Sequence, residues 1–121
     1  MMTGAATVFT VRDIAASVAH YRDVLGFTVT FQYGEPTFYA VLCRDEVGLH
    51  LLAAHQTQRL PGHGGICVFV EDVDALHAEL VARGASVLKP PQDYAYGMRD
   101  FDVADPDGNQ LTFGMQSRPA G

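Results

Sequence analysis

Hydrophobic and polar residues in the first half of the chain follow a pattern that predicts one strand, one helix and three further strands. Residues 6–11 form an apolar run of strand-like composition. The apolar positions that follow recur at helical spacing, and they are Ile14, Val18, Tyr21 and Leu25. Asp13 has the side chain of a helix N-cap, and Gly26 stands where a glycine ends a helix. Three strand-like runs come next, at 27–33, 37–43 and 47–53.

The same order of elements is predicted again after a polar linker at residues 55–62. A strand at 65–70 precedes a second helix, with Asp72 as its N-cap and Gly84 at its end. A short strand follows at 85–88, and Pro90-Pro91 is expected to open an irregular loop. The last two strands, 98–104 and 110–115, form a hairpin across the turn at 105–109.

The two halves correspond at a nearly constant offset. Val11 matches Val70 at 70 − 11 = 59, Gly26 matches Gly84 at 84 − 26 = 58, and Leu49 matches Leu111 at 111 − 49 = 62. Two amphipathic helices can resemble each other by chance, but the capping Asp and the helix-ending Gly recur in step. We therefore expect an α+β single domain, 1–121, with two β-α-β-β-β modules at about 4–54 and 63–116.

Alternation along the strands sorts their residues into a face toward the helices and an opposite, open face. The predicted open face mixes aromatic, small and polar groups: Ala6, Phe38, Ala40, Leu42, His50, Phe69, Asp100, Asp102 and Thr112. A fully solvated face is more polar than this, and a fully buried face is less polar. The mixture is typical of a concave ligand pocket or of a subunit interface, and the two can coincide.

Composition and charge narrow the function classes. The chain has 8 basic and 14 acidic residues, a net charge of −6, which disfavours nucleic acid and anionic membrane as partners. Such a charge favours a cationic ligand. The alternative explanation is a solvated acidic surface that keeps the protein soluble. Cys43 and Cys67 lie in apolar runs without metal-binding spacing, so we expect buried free thiols. With neither a leader nor a membrane span in the sequence, we expect a cytoplasmic protein.

Two segments resemble the vicinal-oxygen-chelate superfamily of glyoxalases, bleomycin-resistance proteins and extradiol dioxygenases. Residues 21–27 are similar to its helix-ending "FY…LGF" motif. Residues 96–109, Tyr-Gly-Met-Arg-Asp-Phe through Asp-Pro-Asp-Gly-Asn, resemble the "WGmrdf…DPDGN" hairpin of its bleomycin-resistance-like members. The resemblance implies that the paired modules form a curved mixed β-sheet cup. It also implies a homodimer whose pockets use residues of both subunits.

Metal-dependent members of this superfamily place four ligands, usually His and Glu, at the centre of the cup. The resemblance puts these four positions at Ala6, His50, Gly65 and Thr112. One imidazole does not fix a divalent ion, so we expect no cofactor at these positions. A shifted ligand set of His50, His63 and Asp100 keeps a divalent metal open as an alternative.

The resemblance and the residues together indicate a metal-free protein that binds and sequesters an antibiotic-like, planar or cationic small molecule. Its expected binding residues are Phe38, Phe69 and Tyr96 for stacking, and His50, Asp100, Asp102 and Thr112 for polarity. The sequence contains neither a nucleophile elbow nor a phosphate-binding glycine loop. An enzyme of the glyoxalase or dioxygenase type with the shifted ligand set is the rival. A protein that keeps the fold without a small-molecule role is the third reading.

Overall fold

The computed structural model describes residues 1–117 as two copies of a strand-helix-three-strand unit. The strands are β1 (Thr7–Val11), β2 (Thr28–Tyr33), β3 (Tyr39–Arg44), β4 (Val47–Ala53), β5 (Gly65–Phe69), β6 (Ser86–Asp93), β7 (Met98–Ala104) and β8 (Gln110–Gln116). The helices are α1 (Ile14–Asp23) and α2 (Val73–Ala82). The α+β class and the two β-α-β-β-β modules are confirmed.

Each module contains its own four-stranded mixed sheet. The strand order is β1-β4-β3-β2 in module 1 and β5-β8-β7-β6 in module 2. The first strand of each module pairs in parallel with the last, and the other pairs are antiparallel. This parallel closure is possible because a helix and two strands separate the first strand from the last, which allows a crossover connection. The two sheets remain separate within residues 1–117.

Both helices begin where the sequence predicts, for the same physical reason. Asp13 accepts a hydrogen bond from Ala16 N, and Asp72 accepts one from Ala75 N, each at 3.0 Å. These carboxylates satisfy backbone donors that a first helical turn leaves free. Neither helix, nor any other in residues 1–117, is long and apolar enough to cross a membrane.

One hydrophobic core lies between the helices and the inner faces of the two sheets. Its fully buried strand residues come from both modules and include Phe9, Val11, Leu49, Leu51, Phe101, Val103 and Leu111. These residues alternate along their strands with more exposed ones, as the predicted face toward the helices requires. The opposite face of each sheet is therefore left for another role.

The modules are joined by a buried polar contact at the β7–β8 turn. The Tyr21 hydroxyl donates to Asp105 Oδ2 at 3.0 Å, and the Tyr21 side chain is completely buried. Asp105 Oδ1 also accepts from the backbone N of Asp107 and of Asn109, each at 2.9 Å. Burial, together with the Asp105 carboxylate, raises the pKa of Tyr21 well above its usual range. The Asp-Pro-Asp-Gly-Asn turn thus holds module 2 against helix α1.

Three sequence expectations are wrong. Ala40 and Leu42 are fully buried core residues, because β3 pairs with β4 in a register that sets Ala40 beside Leu51. Pro90 and Pro91 lie inside β6, an eight-residue strand with two register irregularities, rather than in a loop. Cys43 and Cys67 are free thiols as expected, but Cys43 is half-buried and Cys67 is exposed, rather than both buried.

Candidate functional site

Two carboxylates on the open face of module 2 are held in place by neighbouring hydroxyl groups. Tyr96 Oη donates to Asp100 Oδ2 at 2.7 Å, and Thr112 Oγ1 donates to Asp102 Oδ1 at 2.6 Å. Asp102 and Thr112 are cross-strand partners in the β7–β8 pair. Four of the residues that the sequence predicts for ligand binding therefore form two hydrogen-bonded pairs on one face.

A lysine that the sequence analysis did not single out lies between the two carboxylates. Lys89 Nζ is 3.3 Å from Asp100 Oδ1 and 3.4 Å from Asp102 Oδ2. It also lies 4.3 Å from the ring centroid of Tyr94, which is a cation–π distance. The Tyr94 side chain and the two carboxylates hold the pKa of Lys89 above its usual range.

Aromatic side chains border this group: Tyr96 and Phe69 are exposed to solvent, and Tyr94 is half-buried. The Tyr94 and Tyr96 rings stack with centroids 5.1 Å apart and planes 3° from parallel. The hydrogen bond to Asp100 raises the pKa of Tyr96 to about 12, so its hydroxyl stays a donor at neutral pH. Phe69 is 76% exposed and lies in the same cross-strand row as Asp100, with Gly114 between them. Gly114 itself contributes no side chain between Phe69 and Asp100, and the Met98 methyl group lies 3.1 Å from where a Cβ at Gly114 would stand.

The corresponding face of module 1 carries His50 on β4. Its Nδ1 and the Tyr39 hydroxyl form a hydrogen bond of 2.6 Å, and the two rings meet edge to face. Val8 and Val41 are the cross-strand neighbours of His50. His50 thus sits in an aromatic and aliphatic setting, on a different sheet from the carboxylates.

Phe38 lies just before β3, in an aromatic cluster of its own. Its ring packs edge to face against Tyr33 at 5.5 Å and His55 at 6.5 Å. Its backbone oxygen accepts from Ala53 N, which fixes the end of the β3–β4 pair. The neighbouring residue Tyr39, rather than Phe38, is the aromatic group beside His50.

The four positions at which the resemblance places metal ligands do not carry side chains that fit a metal centre. Ala6 and Gly65 have no donor atoms in their side chains. The Thr112 hydroxyl is engaged with Asp102, so the set offers one imidazole, that of His50. The shifted set is not assembled either, since residues 1–117 contain no group of three or more His, Cys, Asp and Glu side chains placed to hold a metal.

His63 borders a shallow hollow of about 390 Å³ at the edge strand β5, which Cys67 and Thr112 also line. Partial desolvation raises the pKa of the Cys67 thiol, and the negative charges of Asp100 and Asp102 raise it further. A raised pKa disfavours the thiolate, the form that acts as a nucleophile. The Cys67 side chain at this hollow is therefore favoured as the neutral thiol.

Two residues of the site were missed, although one had a signal in the sequence. Lys89 is the single lysine of the chain, and it lies between the strand predicted at 85–88 and the loop predicted at Pro90-Pro91. The β6–β7 pairing places Lys89 directly beside Asp102. Tyr94 was missed because stacking on Tyr96 depends on the path of the connection between β6 and β7.

Comparisons with known proteins agree with this architecture. The sequence model of the glyoxalase/bleomycin resistance protein/dioxygenase superfamily matches residues 5–113. A bleomycin resistance protein of Geobacillus stearothermophilus is 30% identical over 125 aligned residues, covering 88% of this chain and 91% of that protein. A superfamily member from Sphaerobacter thermophilus shares the fold, with a TM-score of 0.82, 23% identity and coverage of 96% of this chain and 98% of that chain.

One similar structure contains a ligand. It is the bleomycin-binding protein of bleomycin-producing Streptomyces verticillus in complex with copper(II)-bleomycin, with a TM-score of 0.77, 29% identity and coverage of 98% of both chains. The match of the superfamily model spans both modules and nearly the whole described chain. This chain therefore belongs to the glyoxalase/bleomycin resistance protein/dioxygenase superfamily.

Proposed function

We propose that this protein binds and sequesters a planar, cationic, antibiotic-like small molecule without a metal. The observation that carries the proposal is the open face of module 2, where largely buried carboxylates adjoin exposed aromatic rings. Asp100 and Asp102 supply negative charge, and Phe69 and Tyr96 supply stacking area. Charge beside an aromatic surface is what a ligand with a flat ring and an ammonium group requires.

The comparisons support the same ligand class. The similar Streptomyces protein was solved with copper(II)-bleomycin, and the similar Geobacillus protein is a bleomycin resistance protein. The metal-free part of the proposal is supported by the donor set of this chain, in which one of the four superfamily ligand positions is a histidine. Elemental analysis of untagged protein after dialysis against zinc, nickel, manganese and ferrous iron tests it. Near-stoichiometric retention of one metal would contradict the metal-free reading.

Isothermal titration calorimetry with bleomycin tests the binding face. Phe69→Ala is expected to weaken binding by about ten- to a hundredfold, because an aromatic ring that packs against a ligand contributes about 1–3 kcal/mol. The matched control is Val81→Ala, which removes an exposed apolar side chain from helix α2, away from the open face. Equal affinity of the Phe69 variant and wild type would show that this face is not the binding surface.

We also propose that the protein is a homodimer, with pockets completed by a second copy. Large aromatic side chains are exposed on both modules, namely Phe31, Tyr33, Phe69 and Tyr96. A monomer that leaves several aromatic side chains in water is unusual, and a symmetric partner would cover part of them. Light scattering after size-exclusion chromatography is expected to give about twice the chain mass of 13.1 kDa at micromolar concentration. A monomeric mass would count against the dimer.

A further inference from the structure

The Lys89 ammonium group occupies a position that resembles a bound cation more than an ordinary surface ion pair. Three groups surround it: the Asp100 carboxylate, the Asp102 carboxylate and the face of the Tyr94 ring. We call these three groups the cation seat. Each carboxylate has one oxygen bound by a hydroxyl group, from Tyr96 or Thr112, and turns its other oxygen toward Lys89. The seat is therefore held in shape by groups other than the lysine.

The lysine satisfies this seat incompletely. Asp100 is 5% exposed, and its Oδ1 atom accepts no hydrogen bond from the part of the chain that the structure describes. Lys89 Nζ is 3.3 Å from that oxygen, close enough for an ion pair but without hydrogen-bond geometry. A buried carboxylate oxygen without a donor is energetically costly. A ligand ammonium group placed closer to Asp100 would therefore be favoured over Lys89.

The Lys89 side chain also has a path from the two carboxylates into solvent. Its side chain is 34% exposed, and the register of β6 against β7 shifts on both sides of it. A lysine ammonium group is strongly hydrated in water, which offsets part of the attraction it loses on leaving the two largely buried carboxylates. The side chain can therefore swing into solvent without disturbing the sheet.

We propose that the cation seat binds the alkylammonium group of an aromatic ligand, and that Lys89 occupies the seat until the ligand displaces it. The inference rests on the proposed function, since it names the chemical class recognised at the same face. With Lys89 in place, two carboxylates and one ammonium leave the group with a single excess negative charge. With Lys89 displaced, the two carboxylates face the ligand cation directly. Lys89 then acts as an internal competitor that sets the affinity for cations.

The test compares charge variants in calorimetric titrations with phenethylammonium as the probe. Lys89→Gln removes the competing charge and is expected to tighten probe binding about tenfold, while Lys89→Arg stays within about twofold of wild type. The control is Arg99→Gln on the neighbouring strand β7, which changes the net charge equally. Arg99 pairs with Asp74 on helix α2 and with Asp93 at the end of β6, and not with the carboxylates of the cation seat. The neutral analogue phenethyl alcohol is expected to bind the Lys89→Gln variant and wild type alike, to within about twofold.

A second measurement does not depend on any substitution. Because Lys89 is the single lysine, protein labelled with ¹⁵N-lysine has one Nζ signal. Saturation with phenethylammonium is expected to shift that signal toward the position of a solvated lysine. An unchanged Nζ signal on saturation, or equal affinity of the Lys89→Gln variant and wild type, would overturn the proposal. Absence of probe binding to both proteins at about 20 mM would overturn it as well.

Failure of this inference can be told apart from failure of the proposed function. If bleomycin binds and phenethylammonium leaves Lys89 in place, the face binds its ligand without using the cation seat, and the inference fails alone. If the probe displaces Lys89 and bleomycin does not bind, the seat is real and the physiological ligand is another aromatic cation.

Discussion

The strongest test of how the two modules hold together is removal of one hydroxyl group, in Tyr21→Phe. That hydroxyl donates to Asp105 Oδ2 at 3.0 Å across the module boundary, and both residues are buried. Hydrogen bonds to a charged group contribute about 1.5–3 kcal/mol. Asp105 Oδ2 keeps a second donor, Asn109 Nδ2 at 3.0 Å, so the carboxylate is not left without a partner. We therefore expect a loss of about 2 kcal/mol in the free energy of unfolding.

Chemical and thermal denaturation followed by circular dichroism measure this loss. For a chain of this length, about 2 kcal/mol corresponds to a fall of roughly 8 °C in Tm. Tyr21 has a raised pKa, so its hydroxyl stays protonated and the difference is expected to be constant between about pH 7 and 9. Tyr33→Phe is the matched control, because Tyr33 is 61% exposed, and it should change stability by less than about 0.5 kcal/mol.

Equal stability of Tyr21→Phe and wild type would refute the reasoning, since it would mean that the buried hydroxyl contributes nothing across the boundary. A double-mutant cycle with Asp105→Asn isolates the pair. A coupling energy near zero would show that any loss came from repacking of the ring rather than from the hydrogen bond.

Two further predictions concern packing and capping, and both are measured by urea denaturation. Gly64→Ala is expected to cost about 1–3 kcal/mol, because the added methyl group would overlap the Phe9 ring, while Gly48→Ala, in open space, should be neutral or slightly stabilising. A Gly64 variant as stable as wild type would mean that the Phe9 ring moves aside freely. Asp72→Ala is expected to cost about 1 kcal/mol by removing the hydrogen bond to Ala75 N, and an unchanged midpoint would refute this role of the cap.

Much of the fold follows from patterns within short stretches of sequence. The strands predicted at 47–53 and 98–104 have the same bounds as β4 and β7. Asp13 and Asp72 cap the helices as predicted, because an N-cap needs only a side chain three residues before its donor. The duplicated module was visible because these signals repeat in step.

The face of β3 was predicted wrongly for a physical reason. The run at 39–43 is apolar at nearly every position, so alternation does not tell which side chains face the core. Pairing with β4 decides it, by placing Ala40 beside Leu51 and Val41 beside His50. The same limit applies to Phe38 and Tyr39, of which the structure brings only Tyr39 to His50.

The sequence predicted the acidic residues and the threonine of the candidate site better than its lysine. Asp100, Asp102 and Thr112 alternate on strands with clear periodicity, and they do share one face. Lys89 lies beside two prolines, which argue against a central strand. β6 is an edge strand of its sheet, where prolines are tolerated, and its pairing with β7 brings the lysine to both carboxylates.

By itself the sequence determined the local elements, their duplication and most of the residues that face the core, because these depend on neighbours along the chain. The tertiary structure alone decided strand register, the Tyr21–Asp105 contact between modules and the place of Lys89 between two carboxylates. The Tyr21–Asp105 contact joins residues 84 positions apart, and a periodicity of two or of 3.6 residues carries no information about such a pair. Local motifs were enough to identify the family. Which charged side chains meet on the open face of module 2 depends on pairing between strands.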